Sequence, residues 1–157
     1  MNAKEIFMNQ AIELASEGVL KNYGGPFGAI VVKDGKIVGR GQNKVTSTND
    51  PTAHAEVMAI RDACKNLHTF LLTDCDLYTS CEPCPMCFGA IYWAHIKHVY
   101  FSATQDTASQ FGFNDALIYR EVALPIENRQ VQFIPLLPEQ GVVPFQIWNI
   151  KQNRIEY

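Results

Sequence analysis

The first two thirds of the chain alternate hydrophobic and polar positions in patterns that predict both helices and strands. Residues 4–20 place apolar or small side chains at steps of three and four, which is the period of a helix. Residues 29–33 and 36–41 flank Asp34-Gly35, a pair that favours a tight antiparallel hairpin. Further along, the pattern predicts a helix over 53–67, a strand over 76–80, a helix over 86–94 and a strand over 98–102. This order of elements indicates a layered α/β fold.

The last third of the chain has a less regular pattern. Residues 115–122 and 144–152 have helical character, and residues 131–137 alternate like a strand. No internal repeat, low-complexity tract or linker separates this part from the rest. We therefore expect a single domain over residues 1–157.

The composition limits the classes of function. Hydrophobic residues make up 47% of the chain and charged residues 18%, which favours a packed core over disorder. The net charge is -3, and the chain after Cys87 contains five basic and six acidic side chains. A broad basic surface for nucleic acid is therefore not expected. The N-terminus lacks the apolar segment of a signal peptide, and no apolar run is long enough to span a membrane. We expect a soluble cytoplasmic protein without a membrane partner.

The cysteines are the most informative part of the composition. There are five of them: Cys64, Cys75, Cys81, Cys84 and Cys87. An odd number cannot be fully paired, and a chain of this length does not need disulfides to fold. Because three of the five lie close together in sequence, reduced thiols and a metal site fit better than a disulfide framework.

Two short motifs at predicted helix starts carry the chemistry, His54-Ala-Glu56 and Pro83-Cys84-Pro-Met-Cys87. A helix N-terminus favours the thiolate form of cysteine. His54, Cys84 and Cys87 form a ligand set suited to Zn²⁺ that leaves a fourth position for water, as in catalytic sites. Glu56 lies close enough in sequence to take a proton from that water and pass it to a ring nitrogen or a leaving amine. The two motifs together are the signature of zinc nucleobase deaminases.

Other interpretations of the cysteine cluster explain less. A redox Cys-x-x-Cys pair gives no role to His54 or Glu56. An iron-sulfur cluster lacks a fourth cysteine after Cys87. A closed structural zinc site with Cys81 as fourth ligand leaves Glu56 superfluous. We therefore favour the open site, and we expect Cys64, Cys75 and Cys81 to be free thiols.

Seven stretches of the chain match the pattern of a known family: residues 24–29, 49–57, 78–87, 89–94, 112–115, 144–148 and the terminal Glu156-Tyr157. On these residues the chain resembles, from end to end, the cytidine-deaminase-like zinc deaminases and, within them, the bacterial guanine deaminases. The resemblance implies a three-layer α/β/α fold around a mixed five-stranded sheet. It also implies one Zn²⁺ per subunit, held by His54, Cys84 and Cys87, and hydrolysis of guanine to xanthine and ammonia.

The same resemblance implies roles for further residues. Glu56 is expected to shuttle protons, and Asp115 is expected to contact the departing amino group. The remaining substrate contacts implied are Phe27 stacking on the purine, Asn43 at its edge, the backbone around Ala55, and Tyr157 as a C-terminal lid. Trp93 is expected either to line the pocket or to belong to the core. The family also forms dimers, so we expect a homodimer that exchanges its C-terminal segments.

Two rival functions remain open at this stage. An adenosine deaminase acting on transfer RNA shares both zinc motifs, but it needs basic surface that this chain lacks, and other nucleobases or aminotriazines are also possible substrates. A zinc-stabilised interaction domain without catalysis is the alternative of another class. Replacing Glu56 by Gln separates the two classes, because an enzyme keeps its zinc and loses turnover.

Overall fold

The computed structural model describes all 157 residues, which form two compact units, residues 1–115 and residues 116–157. The first unit contains α1 (Ala3–Leu20), β1 (Gly28–Lys33), β2 (Lys36–Gln42), α2 (Val45–Thr48), α3 (Ala55–Leu67), β3 (Cys75–Cys81), α4 (Pro85–Trp93), β4 (His98–Ala103) and α5 (Gln105–Gln110). The second unit contains α6 (Ala116–Ala123), a 3-10 turn (Ile126–Asn128), α7 (Pro138–Gly141) and α8 (Val143–Ile150).

The first unit is built on a mixed sheet with the strand order β2-β1-β3-β4. β1 pairs antiparallel with both β2 and β3, whereas β3 and β4 are parallel. The predicted hairpin is confirmed, and its turn residues Asp34 and Gly35 both have positive φ, at 50° and 71°. Two consecutive positive φ angles match the right-handed twist of paired strands, which is why the Asp-Gly pair is suited to this turn.

The two faces of the sheet bury separate sets of side chains because successive residues of a strand point to opposite sides. Ala29 and Val31 of β1 lie in a core shared with α3 and α4, whereas Ile30 and Val32 lie in a second core with Ala11 of α1. Helices therefore cover both faces. The prediction of a three-layer α/β/α fold is confirmed.

Helix α3 packs directly on the backbone of β2. A Cβ added at Gly41 would lie 2.0 Å from the carbonyl oxygen of Ala55 and 2.5 Å from the backbone nitrogen of Ala59. Only a residue without a side chain permits this approach. The start of α3, and with it His54, is therefore placed by the sheet as well as by the helix's own sequence.

The sheet differs from the predicted one in having four strands and not five. Residues 131–137 form no strand and are exposed, although their pattern alternates. A strand exists only where a neighbour accepts and donates its backbone hydrogen bonds, and Pro135 removes one donor from this segment. The two helices predicted on either side are confirmed as α6 and α8, while α2 and α5 were not predicted.

The second unit exposes many apolar side chains. They include Val131, Phe133, Ile134, Leu136, Phe145 and Ile147. None of the helices in either unit combines the length and apolar character that crossing a membrane requires. That both units work as one domain stays a prediction.

Candidate active site

The three predicted metal ligands lie together at two helix starts. His54 is the N-cap residue of α3, Cys84 is the N-cap residue of α4, and Cys87 lies in the first turn of α4. Nδ1 of His54 is 3.5 Å from Sγ of Cys84 and 3.5 Å from Sγ of Cys87, and the three ligand atoms all lie within 4.8 Å of one another.

These distances can be tested against zinc geometry. Bonds of about 2.3 Å to sulfur and about 2.0 Å to nitrogen, at tetrahedral angles, separate a nitrogen and a sulfur ligand by about 3.5 Å. The observed separations agree with this value. Cys81 lies outside the cluster, so the residues supply three ligands and not the four of a closed structural site. The side chains therefore fit a zinc ion with one open position.

The pKa values of Cys84 and Cys87 are shifted in opposite directions. The Cys87 thiol and the imidazole of His54 stabilise the thiolate of Cys84 and lower the pKa of Cys84 to about 4, against an opposing effect of burial. The contact with Cys84, together with burial, raises the pKa of Cys87. The two thiols thus differ in acidity, and a bound divalent cation would favour the thiolate form of both because zinc binds thiolates.

Glu56 lies in the first turn of α3, next to the ligands but outside their cluster. Its side chain is only 5% exposed, and Oε2 is 3.4 Å from Sγ of Cys87. Burial raises the pKa of the Glu56 carboxyl. A raised pKa makes a carboxyl a stronger proton acceptor, which suits it to general acid–base work.

A cavity of about 340 Å³ opens beside this cluster and lies wholly within the first unit. Its volume is at the lower end of the range for small-molecule sites, which suits one small ring system. The side chains that line it come from loops as well as from helix starts. They include Phe27, Asn43, Val45, Thr46, His54, Glu56, Cys81, Glu82, Cys84, Gln105, Phe113, Asn114 and Asp115.

Asn43 is held with its amide in one orientation. Its Oδ1 accepts hydrogen bonds from the backbone N–H of Gly25 at 3.1 Å and of Val45 at 3.2 Å. The side chain is almost fully buried, and a Cβ on Gly24 would collide with its oxygen at 2.2 Å. Because the oxygen is engaged by the backbone, the amide nitrogen is the group available to donate to a ligand.

Phe27 forms an aromatic wall together with Phe113. The two rings meet edge to face, with centroids 4.9 Å apart. This arrangement is a favourable geometry for an aromatic pair, and it leaves a flat apolar surface in the cavity. A purine can stack on such a surface.

Asp115 lines the same cavity and is held by residues that the sequence reasoning missed. Its Oδ1 accepts a hydrogen bond from Nε2 of Gln105 at 2.9 Å, and the backbone N–H of Gln105 donates to Oε2 of Glu82 at 3.0 Å. The position of Glu82 inside the cysteine motif was a usable signal. Gln105 had none, because it begins a short polar helix without hydrophobic periodicity.

The site roles predicted for Trp93, Ala55 and Tyr157 stay predictions. Trp93 is 67% exposed at the end of α4 and is neither core nor cavity lining, because Cys87 and Ile91 occupy the buried side of that helix. Ala55 is fully buried and is not among the residues that line the cavity. Tyr157 belongs to the second unit, and its role as a lid stays a prediction.

The three free thiols agree with the prediction for the remaining cysteines. Cys64, Cys75 and Cys81 form no disulfide. Cys81 lines the cavity, and burial raises its pKa to about 11. It lies outside the group formed by His54, Cys84 and Cys87 and is therefore not counted among the metal ligands.

The fold and the site together define a zinc-dependent hydrolytic site of the kind that acts on nucleobases. Residues 1–103 match the model of the cytidine and deoxycytidylate deaminase zinc-binding region, and the chain belongs to this family. The resemblance inferred from the motifs is thus confirmed.

Similarity to individual proteins extends over the whole chain. The chain is 53% identical to a guanine deaminase of Bacillus subtilis over 153 residues, which is 98% of each protein. The X-ray structure of guanine deaminase from Bacillus subtilis superposes with a TM-score of 0.96 and covers 100% of this chain and 99% of its own. A tRNA-specific adenosine deaminase of Streptococcus pyogenes is 36% identical over 147 residues, or 94% of this chain and 86% of that protein.

Proposed function

We propose that the protein hydrolyses guanine to xanthine and ammonia with one zinc ion per subunit. The observation that carries this proposal is the 53% identity to a guanine deaminase over 98% of both chains. The geometry of His54, Cys84 and Cys87 and the small cavity beside them support it.

In the proposed reaction, water replaces the amino group on the carbon between two ring nitrogens of guanine. Zinc held by His54, Cys84 and Cys87 would supply a Lewis acid that lowers the pKa of a water molecule. Glu56 takes a proton from the attacking water and delivers it to the adjacent ring nitrogen of the purine. Its burial and raised pKa favour both halves of this transfer.

The remaining steps use Asp115, which lines the same cavity. Asp115 accepts a hydrogen bond from the amino group and orients it for departure. The second proton of the attacking water reaches this nitrogen as its bond to carbon breaks, so that the product leaves as ammonia. One water is consumed for each guanine converted into one xanthine and one ammonia.

The other contacts proposed hold the purine in place. Phe27 stacks on the ring, and the amide nitrogen of Asn43 donates to an acceptor on the purine edge. The backbone around Ala55, at the start of α3, is proposed to assist there. Trp93 is not part of this proposal, because its side chain is exposed at the end of α4.

The resemblance also leads us to propose a homodimer that exchanges C-terminal segments, with Tyr157 closing the cavity and both units acting as one deaminase domain. The many exposed apolar side chains of residues 131–147 support an additional contact for the second unit. Sedimentation analysis tests the dimer, and deletion of Tyr157 should weaken turnover if this residue excludes water from the site. A fully active monomer would contradict both points.

The five free cysteines fit a reducing, cytoplasmic location.

A substrate panel tests the proposed reaction. The zinc-loaded protein is offered guanine, adenine, cytosine, cytidine, aminotriazines and a transfer RNA anticodon stem-loop, and ammonia release or inosine formation is measured. We expect turnover of guanine well above that of every other substrate. Activity confined to the RNA would instead support adenosine deamination and would overturn the charge argument.

A further inference from the structure

Gln105 occupies a position in the cavity that the proposed chemistry has not used. It is the first residue of α5, it lines the cavity, and its side chain ends on Asp115. The Nε2 atom donates to Oδ1 of Asp115 over 2.9 Å, which is a normal length for an amide–carboxylate hydrogen bond.

The backbone of Gln105 is itself held from two sides. Its N–H donates to the carboxylate of Glu82, and the backbone N–H of Glu82 donates to the carbonyl of Ala103 at the end of β4. Thr104 caps the helix by accepting from the N–H of Thr107 at 3.2 Å. Hydrogen bonds therefore connect the backbone of Gln105 to the ends of β3 and β4.

Asp115 lies outside the helices and strands. It follows the loop of residues 111–114 and precedes α6, so no regular element holds its backbone. It forms no ion pair in the structure, and the described partner of its carboxylate is the neutral amide of Gln105. A neutral donor fixes one oxygen and leaves the negative charge in place, whereas a lysine or arginine would neutralise it.

From this geometry we propose that Gln105 is a positioning residue that orients the Asp115 carboxylate toward the departing amino group of the substrate. The proposal rests on the proposed function, because it gives Gln105 a role only through Asp115. With one oxygen held by Gln105, the other is directed to the substrate, and loss of the amide frees the carboxylate to rotate. A misplacement of about 1 Å in such a group costs up to about a hundredfold in rate.

A double-mutant cycle on the zinc-loaded enzyme tests the proposal. The parent, Gln105→Ala, Asp115→Ala and the double variant are compared by kcat and KM for guanine. We expect Gln105→Ala to lower kcat by about tenfold in the parent and by less than about twofold when Asp115 is already alanine, because residues that act as a unit are not additive. KM should change less than kcat, since Phe27 and Asn43 remain in place.

Two more variants separate positioning from general damage to α5. Gln105→Glu keeps the length but replaces the donor by a second carboxylate, so kcat should fall at least as far as with alanine. Gln110→Ala, an exposed glutamine at the other end of the same helix, should retain the activity of the parent. Thermal midpoints of all variants should stay within a few degrees of the parent.

The outcomes are distinct. Equal losses on Gln105→Ala in both backgrounds would show that Gln105 acts independently of Asp115, for example by touching the purine, and would overturn the proposal. Full activity of Gln105→Glu would overturn it too. If the parent enzyme does not turn over guanine while it deaminates another substrate of the panel, the proposed function fails, and the role assigned to Gln105 in guanine turnover fails with it.

Discussion

Two parts of the cavity lining differ in what holds their side chains. We call the first the metal wall, and it consists of His54, Glu56, Cys84 and Cys87. We call the second the loop wall, and it consists of Gln105, Phe113 and Asp115. The metal wall lies at the starts of two helices that pack on the sheet, and Glu56 and Cys87 are buried. The loop wall lies after β4, is more exposed, and depends on single hydrogen bonds and one ring contact.

The difference separates two requirements of one site. Zinc chemistry needs ligands held to within a few tenths of an ångström, which a packed core supplies. Substrate entry needs a side that can move, which short loops supply. Changes in the metal wall should therefore abolish function or folding, whereas changes in the loop wall should reduce activity by degrees.

The largest effect is expected from loss of a metal ligand. Cys87→Ser should bind less than one zinc per chain and show no detectable deamination, because a neutral hydroxyl replaces a thiolate. Zinc content by elemental analysis and ammonia release measure the two effects. Cys64→Ser, which alters a thiol outside the cavity, is the control and should retain both zinc and activity. A Cys87→Ser protein with full zinc would contradict the ligand assignment.

Loss of the proton shuttle should leave the metal wall in place but inactive. Glu56→Gln is expected to keep one zinc per chain and to lower kcat by about 10²- to 10⁴-fold, which is the usual contribution of a general acid–base group. Glu13→Gln, an exposed position on α1, is the matched control. Parent-like turnover in Glu56→Gln would contradict the role of Glu56 as the proton shuttle.

The packing under the metal wall can be tested without touching a ligand. Gly41→Val should destabilise the protein by about 3 kcal/mol, because its side chain collides with the backbone of α3. Gly89→Ala is the matched control: it lies in α4, its added Cβ meets nothing within 4 Å, and it should stabilise by about 0.5–1 kcal/mol. Denaturant unfolding measures both. Equal stability of Gly41→Val and the parent would contradict the close approach of α3 to β2.

The smallest effect is expected on the loop wall. Phe113→Ala removes the edge contact with Phe27 and should raise KM for guanine by about 3- to 10-fold, since aromatic pairs contribute about 0.5–1.5 kcal/mol. Phe111→Ala, two residues earlier and 75% exposed outside the cavity, should leave KM unchanged. Steady-state kinetics of Phe113→Ala and Phe111→Ala measure both KM values. A loss as complete as that of Cys87→Ser would remove the contrast between the two walls.

The two walls also differ in how far the sequence predicted them. His54, Glu56, Cys84 and Cys87 occur in two short motifs at helix starts, so local spacing was enough to group them. Asp115 was reached through resemblance alone, and Gln105 was not found, because the contact between them joins residues ten positions apart across an irregular loop. For Trp93 the sequence left pocket and core both open, and the side chain is exposed in the structure.

For the fold, the sequence by itself determined the hairpin, the main helices and the order of layers, since these follow from hydrophobic period, turn residues and helix starts. The tertiary structure decided the number of strands, because pairing of residues 131–137 depends on a neighbour and not on their own pattern. It also decided the loop wall. Contacts between Gln105, Asp115 and Glu82 arise only when the ends of β3 and β4 are brought together, and no local period encodes that distance.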